Sequence, residues 1–334
     1  MMAFHVREID WSEFESLLAA QNVDVPIEQT KAWSEYESGI PGRSPWGCIA
    51  IERNGDVVAV AAFMDYLTHR FHYLRSHHGP IWFEAPTPSE EAEALEALRS
   101  YVHTRDSKVV FLRLAVDADV DFACHTLSTI PYDTTVVIQT EGGEEGILSR
   151  MKPRGRRDVR KSLRECPAEV ADETDLAAAD FAPYYQIMVE TGARDGFAPA
   201  PCGDYERLLA TLGPKRARVF AARIDGELCA WSIVTISGKV AMRYYAASKN
   251  ATMRQHVGER LVLFEAESLG EAGVERYDLM AVGSEIAPQL MGLNEFKTKF
   301  SKELVHVAPD RDVPVRTAFY GALVRLQHLR HSHR

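Results

Sequence analysis

The chain has 334 residues, of which 46% are hydrophobic and 26% are charged, a composition typical of soluble globular domains. At roughly 150 residues per domain, this length predicts two domains, each large enough to bury a core without disulfide bonds or metal ions. The formal net charge of −10 excludes a uniformly basic coat for nucleic acid, but it does not exclude a local basic patch.

Cysteine spacing and apolar runs exclude several further classes. The 5 cysteines are scattered without a C-x-x-C pair, so neither a disulfide framework nor a zinc ribbon is predicted. The longest apolar run, residues 57–64, is far shorter than the ~20 residues that a membrane helix needs. The N-terminus reaches Arg7 and Glu8 before the apolar core of a signal peptide can form. We expect a cytoplasmic protein with no metal site and no stable membrane insertion.

Two hairpins follow one sequence pattern. The first joins apolar segments through Asn54-Gly55 and the second through Asp225-Gly226, residue types that tolerate the positive φ angles of tight hairpin turns. A helical stretch precedes each hairpin, and each is followed by a strand and a helix, over residues 71–74 and 89–103 in the first case and 240–245 and 256–268 in the second. The class is therefore α/β (α+β), with a tandem duplication.

The boundary between the two copies is predicted in the polar, glycine-rich segment 140–146. Residues 316–330 have helical periodicity, and this last helix is expected to return to the first copy. The predicted domains are therefore residues 1–142 with 312–334, and residues 143–311.

Residues 150–164 have the most unusual composition, with eight basic residues and one acid in a chain that is net acidic. Pro153 suits the first turn of a helix, and Val159 with Leu163 forms a short apolar seam. Such a helix could bind the phosphates of a nucleic acid or a diphosphate, and a solvated basic face is the alternative. The candidate ligands are arginines, whose guanidinium groups bind phosphate oxygens in pairs: Arg154, Arg156, Arg157 and Arg160.

Aromatic residues beside lysines form a second candidate, Gly292-Leu-Asn-Glu-Phe-Lys-Thr-Lys-Phe300. Phe296 and Phe300 would share a helical face, with Lys297 and Lys299 beside them; an ordinary amphipathic core helix is the alternative. The tyrosines of Arg243-Tyr-Tyr-Ala-Ala-Ser248 form a third candidate, and ordinary packing in a half-buried sheet is the alternative. The motifs of P-loop, dinucleotide-binding, serine-hydrolase and zinc-protease sites do not occur in the sequence.

With the duplicated module, the basic helix and these two motifs in this order, the sequence resembles the Fem family. Members of that family are aminoacyl-tRNA-dependent peptidyl aminoacyltransferases that build peptidoglycan side branches. The resemblance implies two tandem GNAT-like (acetyltransferase-like) domains and no cofactor, with aminoacyl-tRNA as co-substrate. Because the second domain contains no heptad repeat, the chain resembles the compact type without a coiled-coil arm, and we expect a monomer.

The resemblance also implies roles for individual residues. Phe296 and Lys297 fall on the Phe-Lys pair of the reaction centre, where an ammonium would stabilise the oxyanion formed when an amine attacks the aminoacyl ester. Tyr205, Tyr245 and Trp33 fall on substrate-binding positions of the family. The basic helix and Lys299 would lie near tRNA phosphates.

The expected acceptor is a peptide or peptide-like molecule with a free amine, either a cell-wall precursor or a peptide natural product. Compact members that use the UDP-linked muropeptide have a lysine shortly after the tryptophan that matches Trp33, and an arginine four residues before the tyrosine that matches Tyr205. This chain has acids after Trp33 and Pro201 at the second position, which predicts a less anionic acceptor. The alternative is that the alignment is shifted and that another cation supplies the missing charge: Lys31, Arg43 or Arg194.

Two other functions stay open from the sequence. One is an acetyl-CoA-dependent N-acyltransferase, because GNAT folds usually bind CoA at a (Gln/Arg)-x-x-Gly-x-(Gly/Ala) loop. Here the loop is Gln255-His-Val-Gly-Glu-Arg260, and Arg260 replaces the last small residue. The other is a non-catalytic RNA-binding protein.

Overall fold

A computed structural model describes residues 4–332, with side chains described up to residue 329. It separates into two compact units, Met1–Asp133 with Val307–Arg334, and Thr134–His306.

The first part of the first unit contains six strands and three helices. In chain order they are β1 (Phe4–Ile9), α1 (Trp11–Gln21), α2 (Lys31–Ser38), β2 (Arg43–Arg53), β3 (Asp56–Thr68), β4 (Phe71–Ser76), β5 (Ile81–Trp82), α3 (Pro88–Arg105) and β6 (Val109–Ala115), with a 3₁₀ turn at Ile27–Gln29. Helix α3 begins at a capping box in which Thr87 and Glu90 satisfy each other's backbone N–H groups.

The second unit follows with seven strands and seven helices. They are β7 (Thr134–Gln139), α4 (Gly143–Arg150), α5 (Pro153–Glu165), β8 (Glu169–Asp172), α6 (Thr174–Ala179), α7 (Ala182–Asp195), α8 (Cys202–Leu212), β9 (Ala217–Ile224), β10 (Glu227–Ser237), β11 (Val240–Ser248), α9 (Val257–Glu271), β12 (Arg276–Ala281), α10 (Asn294–Lys297) and β13 (Val305–His306). Short 3₁₀ turns occur at Asn250–Thr252 and Pro288–Leu293.

The chain then returns to the first unit with β14 (Asp310–Pro314) and α11 (Thr317–Ser332). Strand β14 pairs with β6, so it forms an edge of the first sheet. The buried Tyr320 of α11 anchors that helix, because its hydroxyl donates to the Asp312 carboxylate at 3.1 Å.

Each unit contains one seven-stranded sheet, and the two sheets repeat one arrangement. The first has the order β1-β2-β3-β4-β6-β14 with β5 against β3, and the second has the order β13-β7-β12-β11-β10-β9-β8. In both, the strand after the hairpin pairs in parallel with the strand that follows the next long helix, β4 with β6 and β11 with β12. The two tandem GNAT-like domains expected from the sequence are present.

The hairpin turns have the predicted backbone conformation. The φ angles are 54° at Asn54 and 96° at Gly55, and 51° at Asp225 and 81° at Gly226. Positive φ at both central residues is what a two-residue hairpin turn requires for its twist to match that of the flanking strands. The turn residues alone therefore determined both hairpins correctly.

The sequence placed both domain borders a few residues from the borders of the two units. Strand β7, predicted in the first domain, belongs to the second unit because it pairs with β12 and buries Val136 and Ile138 in that unit's core. The glycine-rich segment 140–146 is only the loop and first turn that lead from β7 into α4. The return to the first unit occurs at residue 307 rather than 312, since Asp310 and Arg311 already pair with β6.

Candidate active site in the second unit

Strands β11 and β12 separate at the centre of the second sheet. They pair only from Val240 to Met242, against residues 276–278. Beyond that point β11 has an extra residue, Tyr244, relative to β10, and β12 shifts its register on β7 after Asp278. Such bulges bend and twist a strand and redirect its side chains and carbonyls. The separated strand ends therefore leave backbone carbonyls within reach of side chains.

Lys297 is held at one of these carbonyls. It is the last residue of the short helix α10, and its Nζ donates to the carbonyl oxygen of Ala281 at 2.9 Å. The start of the same helix is fixed by Asn294, whose side chain accepts from the N–H of Gly283 at 2.6 Å and donates to its carbonyl at 3.0 Å. These hydrogen bonds hold both ends of α10, and with it the ammonium, against the end of β12.

The surroundings of Lys297 make it an unusual lysine. Burial lowers the pKa of its ammonium to about 8, the positive charge of Arg243 acts in the same direction, and Asp278 opposes them. At neutral pH the group is still mainly protonated, but it has little water around it. A poorly hydrated ammonium that donates to a neutral carbonyl is well suited to donate to a developing oxyanion.

Three buried polar side chains form a network with Arg243. Its guanidinium donates to the carboxylate of Glu265 at 3.0 and 3.3 Å, and the hydroxyls of Ser232 and Tyr277 donate to the same carboxylate. Burial and the charge of Glu265 raise the pKa of Tyr277, so that its hydroxyl remains a donor. Since Glu265, Ser232 and Tyr277 are all fully buried, the network fixes the position of the Arg243 charge.

This network was not predicted from the sequence. Its members come from three strands and one helix, and no local spacing connects them. One signal was available: Glu265 lies four residues from both Leu261 and Leu269, on the apolar face of α9. A carboxylate on an apolar helical face indicates a buried ionic partner, although not which one.

Phe296 packs where α9 begins. Its ring meets that of Phe300 edge-on at 5.2 Å. It also covers Gly258, where an added Cβ would lie 3.0 Å from the ring. Glycine at this position therefore provides the space for the Phe296 ring.

Lys299, predicted near tRNA phosphates, is instead an internal residue. Only 6% of it is exposed, its ammonium pairs with Glu259 at 2.5 Å and with Asp158 at 3.7 Å, and it lies 5.0 Å from the Phe296 ring. Two carboxylates neutralise its charge, so it joins α5, α9 and the segment after α10. The alternation of Lys297 and Lys299 in the sequence did not distinguish these two environments.

The basic segment forms helix α5, and its arginines differ in exposure. Arg154, Arg157 and Arg160 are exposed; the first donates to Glu295 at 2.6 Å and the second pairs with Asp158 at 3.2 Å. Arg156, predicted as a phosphate ligand, is half-buried and donates to the carbonyl of Met151 at 2.7 Å. Its guanidinium therefore stabilises the end of α4 and does not belong to the exposed set.

Helix α5 packs directly against the Phe-Lys segment. A Cβ on Gly155 would lie 2.1 Å from the carbonyl oxygen of Lys299, and that same carbonyl accepts from the N–H of Lys152 at 3.2 Å. The two segments that the sequence analysis selected independently are therefore adjacent in the structure.

Of the predicted substrate-binding aromatics, only Tyr245 is more than marginally exposed. Tyr205 is 2% exposed, and its ring lies 5.3 Å from that of Phe181 and 4.9 Å from that of Tyr245. Trp33 is 3% exposed in the first unit, edge-on to Tyr36 at 5.0 Å. Both side chains are core residues of their own units, so the prediction that they contact substrate directly is not supported.

Comparison with known proteins agrees with this architecture. Residues 153–298 match the family model described as an acetyltransferase (GNAT) domain. The second unit is a GNAT domain, of the acyltransferase class. The match begins at the basic helix and ends just after Lys297.

Solved structures extend the likeness to the whole chain. FemX superposes with a TM-score of 0.72 over 95% of this chain and 99% of its own, at 16% sequence identity. L-PGS from Bacillus licheniformis gives a TM-score of 0.54 at 11% identity, covering 97% of this chain and 98% of its own. A tandem GNAT protein from the clavulanic acid biosynthesis pathway gives 0.53 at 12%, covering 93% and 99%. The fold expected from the Fem resemblance is confirmed.

No curated protein matches the sequence. None of the helices in the described part of the chain is long and apolar enough to cross a bilayer. Among residues 4–332, no three His, Cys, Asp or Glu side chains converge as a metal-binding group.

Proposed function

We propose that this chain is an aminoacyl-tRNA-dependent aminoacyltransferase, which joins a tRNA-borne amino acid to a free amine of a peptide or peptide-like acceptor. The observation that carries the proposal is the ammonium of Lys297, half-buried at the separated ends of β11 and β12 and hydrogen-bonded to the carbonyl of Ala281. The GNAT domain, the FemX fold and the order of the sequence motifs support the same chemistry.

The mechanism requires one charged donor. The acceptor amine attacks the carbonyl carbon of the aminoacyl ester, an amide bond forms, and the ribose oxygen leaves with a proton. Negative charge develops on the carbonyl oxygen, where the Lys297 ammonium would donate a hydrogen bond. One such donor in a site with little water typically contributes about 3–4 kcal/mol to transition-state stabilisation. Because the ester is already activated, no covalent enzyme intermediate is needed.

The start of α9 argues against the CoA-dependent alternative. A CoA diphosphate binds to the backbone N–H groups at such a helix start. Here the ring of Phe296 covers Gly258, and the carboxylate of Glu259, held by Lys299, lies in the first turn. The aromatic ring fills the space that a diphosphate would need, and the carboxylate would repel its negative charge.

We expect transfer to be abolished by RNase and unchanged by removal of CoA. The test incubates the protein with a pool of charged tRNAs and a panel of amine-bearing peptides, and it detects new amide bonds by mass spectrometry. Heat-inactivated RNase provides the matched control. Activity that survives RNase and requires acetyl-CoA would instead establish the CoA-dependent enzyme.

The exposed arginines of α5 are proposed to bind tRNA phosphates. Replacing Arg154, Arg157 and Arg160 with Gln should weaken tRNA binding and reduce its salt dependence, with each lost phosphate contact lowering the slope of log K against log[salt] by about one. The control replaces three exposed cations of the same unit, Arg207, Lys215 and Arg216, with Gln. Equal slopes for both triple variants and the wild type would show that α5 presents only a solvated basic face.

Charge pairing supports an acceptor with less negative charge than a UDP-linked muropeptide. Two of the cations that could replace the missing lysine and arginine are already paired. Arg43 donates to Glu37 at 2.9 Å, and Arg194 pairs with Asp195 at 2.7 Å and donates to the carbonyl of Ser248. Lys31 is exposed. The acceptor panel should therefore include the UDP-linked muropeptide beside neutral and cationic peptides, and we expect the latter to react faster.

A further inference from the structure

Glu28 is a buried carboxylate in the first unit, on the 3₁₀ turn Ile27–Gln29. Its side chain is only 1% exposed, and within the described residues 4–332 neither of its oxygens has a hydrogen-bond partner. The imidazole of His78 lies beside it, with Nε2 3.7 Å from Oε1. Placing an ionised carboxylate in such surroundings is costly unless an opposite charge or hydrogen-bond donors meet it.

The other buried acids of the described chain all have such donors. Glu37 accepts from Tyr66 and Arg43, Glu91 from two backbone N–H groups, and Asp312 from Arg113. In the second unit, Glu173 and Glu265 are bound by arginines. Glu28 is therefore the exception in a structure that otherwise pairs its buried carboxylates.

The backbone around Glu28 is fixed. The side-chain amide of the next residue, Gln29, ties this turn to two strands. Its Nε2 donates to the carbonyl of His77 at 2.7 Å and to Ser76 Oγ at 3.0 Å, and its Oε1 accepts from the N–H of Ala62 at 2.8 Å. His78 has a φ angle of 52°, in the left-handed region. The carboxylate and the imidazole are thus held on two rigid segments, and Glu28 cannot easily turn to find a partner elsewhere.

The imidazole reaches the surface, while the carboxylate lies beneath it. The His78 side chain is 25% exposed, and the ring of Tyr132 meets it edge-on at 6.3 Å. An unpaired carboxylate beside an imidazole that packs against a phenol ring suits a cation, because the carboxylate accepts its N–H groups and an aromatic ring tolerates its charge.

We propose that Glu28, with His78 beside it and Tyr132 packed against His78, forms a binding site for an organic cation, a primary ammonium or guanidinium group of a small molecule. The cation would donate to both carboxylate oxygens and replace the missing partner. Only the identity of the occupant as the amine-bearing acceptor rests on the proposed function; the binding of a cation does not.

The test measures binding to the full chain without tRNA, so that its result is independent of transfer activity. Two probes differ only in the charged end of the side chain: Nα-acetyl-lysine methylamide and its neutral counterpart Nα-acetyl-norleucine methylamide. Backbone amide NMR signals of Gln29 and His78 report the site. We expect saturable shifts with the lysine probe and none with the norleucine probe. Nα-acetyl-arginine methylamide then ranks guanidinium against ammonium.

Two variants complete the test. Glu28→Gln should weaken binding of the lysine probe at least tenfold, and it should raise the melting temperature of the unliganded protein because the unpaired charge is removed. Glu35→Gln, which changes an exposed carboxylate of α2, should alter neither. Unchanged binding in Glu28→Gln would overturn the proposal, as would equal shifts with both probes or no shift of these signals in the wild type. A lowered melting temperature would indicate a structural carboxylate and would also overturn it.

Discussion

Lys297→Met is expected to lower the single-turnover rate of aminoacyl transfer by about 10²-fold or more. The substitution keeps most of the side-chain volume but removes the donor that lies 2.9 Å from the Ala281 carbonyl. Binding of tRNA should change little, since the exposed arginines lie on α5 and Lys297 on α10. The rate is measured with pre-bound charged tRNA and saturating acceptor, so that binding steps do not contribute.

Lys302→Met is the matched control, because Lys302 is exposed and lies five residues further along the chain. It should retain the wild-type rate. A Lys297→Met variant with a near wild-type single-turnover rate would show that the ammonium does not act on the reacting carbonyl. A variant that loses tRNA binding to the same extent as transfer would assign Lys297 to binding.

The pH dependence separates the ammonium from the neutral amine as the active form. Burial and the charge of Arg243 lower the pKa of Lys297 to about 8, so the ammonium is present below that pH and is lost above it. The ratio of wild-type to Lys297→Met rates cancels the ionisation of the acceptor amine. We expect this ratio to fall as the pH rises through about 8. A ratio that rises instead would assign Lys297 as a general base.

Local sequence chemistry predicted the parts of the fold that depend on neighbouring residues. Asn54-Gly55 and Asp225-Gly226 determined both hairpins, because the demand for positive φ lies within the turn itself. The order of elements around them then revealed the duplication. Strand β7 was assigned to the wrong domain because its partner, β12, lies far along the chain and no local pattern shows that pairing.

The candidate site divides in the same way. The sequence selected Lys297, Phe296 and helix α5, and the structure brings these segments together. It did not separate Lys297 from Lys299, because both lysines flank phenylalanines and only the tertiary positions of Asp158 and Glu259 neutralise one of them. Exposure was the property most often mistaken, since aromatic and arginine side chains occur both in substrate sites and in cores.

Glu265→Leu is expected to destabilise the second unit by about 3–5 kcal/mol, because it leaves the Arg243 guanidinium buried without its counter-charge. The hydroxyls of Ser232 and Tyr277 lose the same acceptor. Urea unfolding can be followed through ¹⁹F NMR of 5-fluorotryptophan at Trp231, which is buried in the same unit and donates to the carbonyl of Tyr184 at 2.8 Å.

The double variant Glu265→Leu with Arg243→Met tests whether charge pairing is the cause. Removing both charges together should recover most of the lost stability, since an apolar pair of similar volume often replaces a buried ion pair at little cost. Even with its stability recovered, the double variant should transfer more slowly than the wild type. The pKa of Lys297 should rise, because the charge of Arg243 that lowers it is gone. If the double variant instead loses as much stability as the two single variants together, the pair contributes packing alone. The rate of the double variant is also compared with that of the same variant carrying Lys297→Met. If this ratio depends on pH as it does in the wild-type background, the network does not influence the chemistry of Lys297.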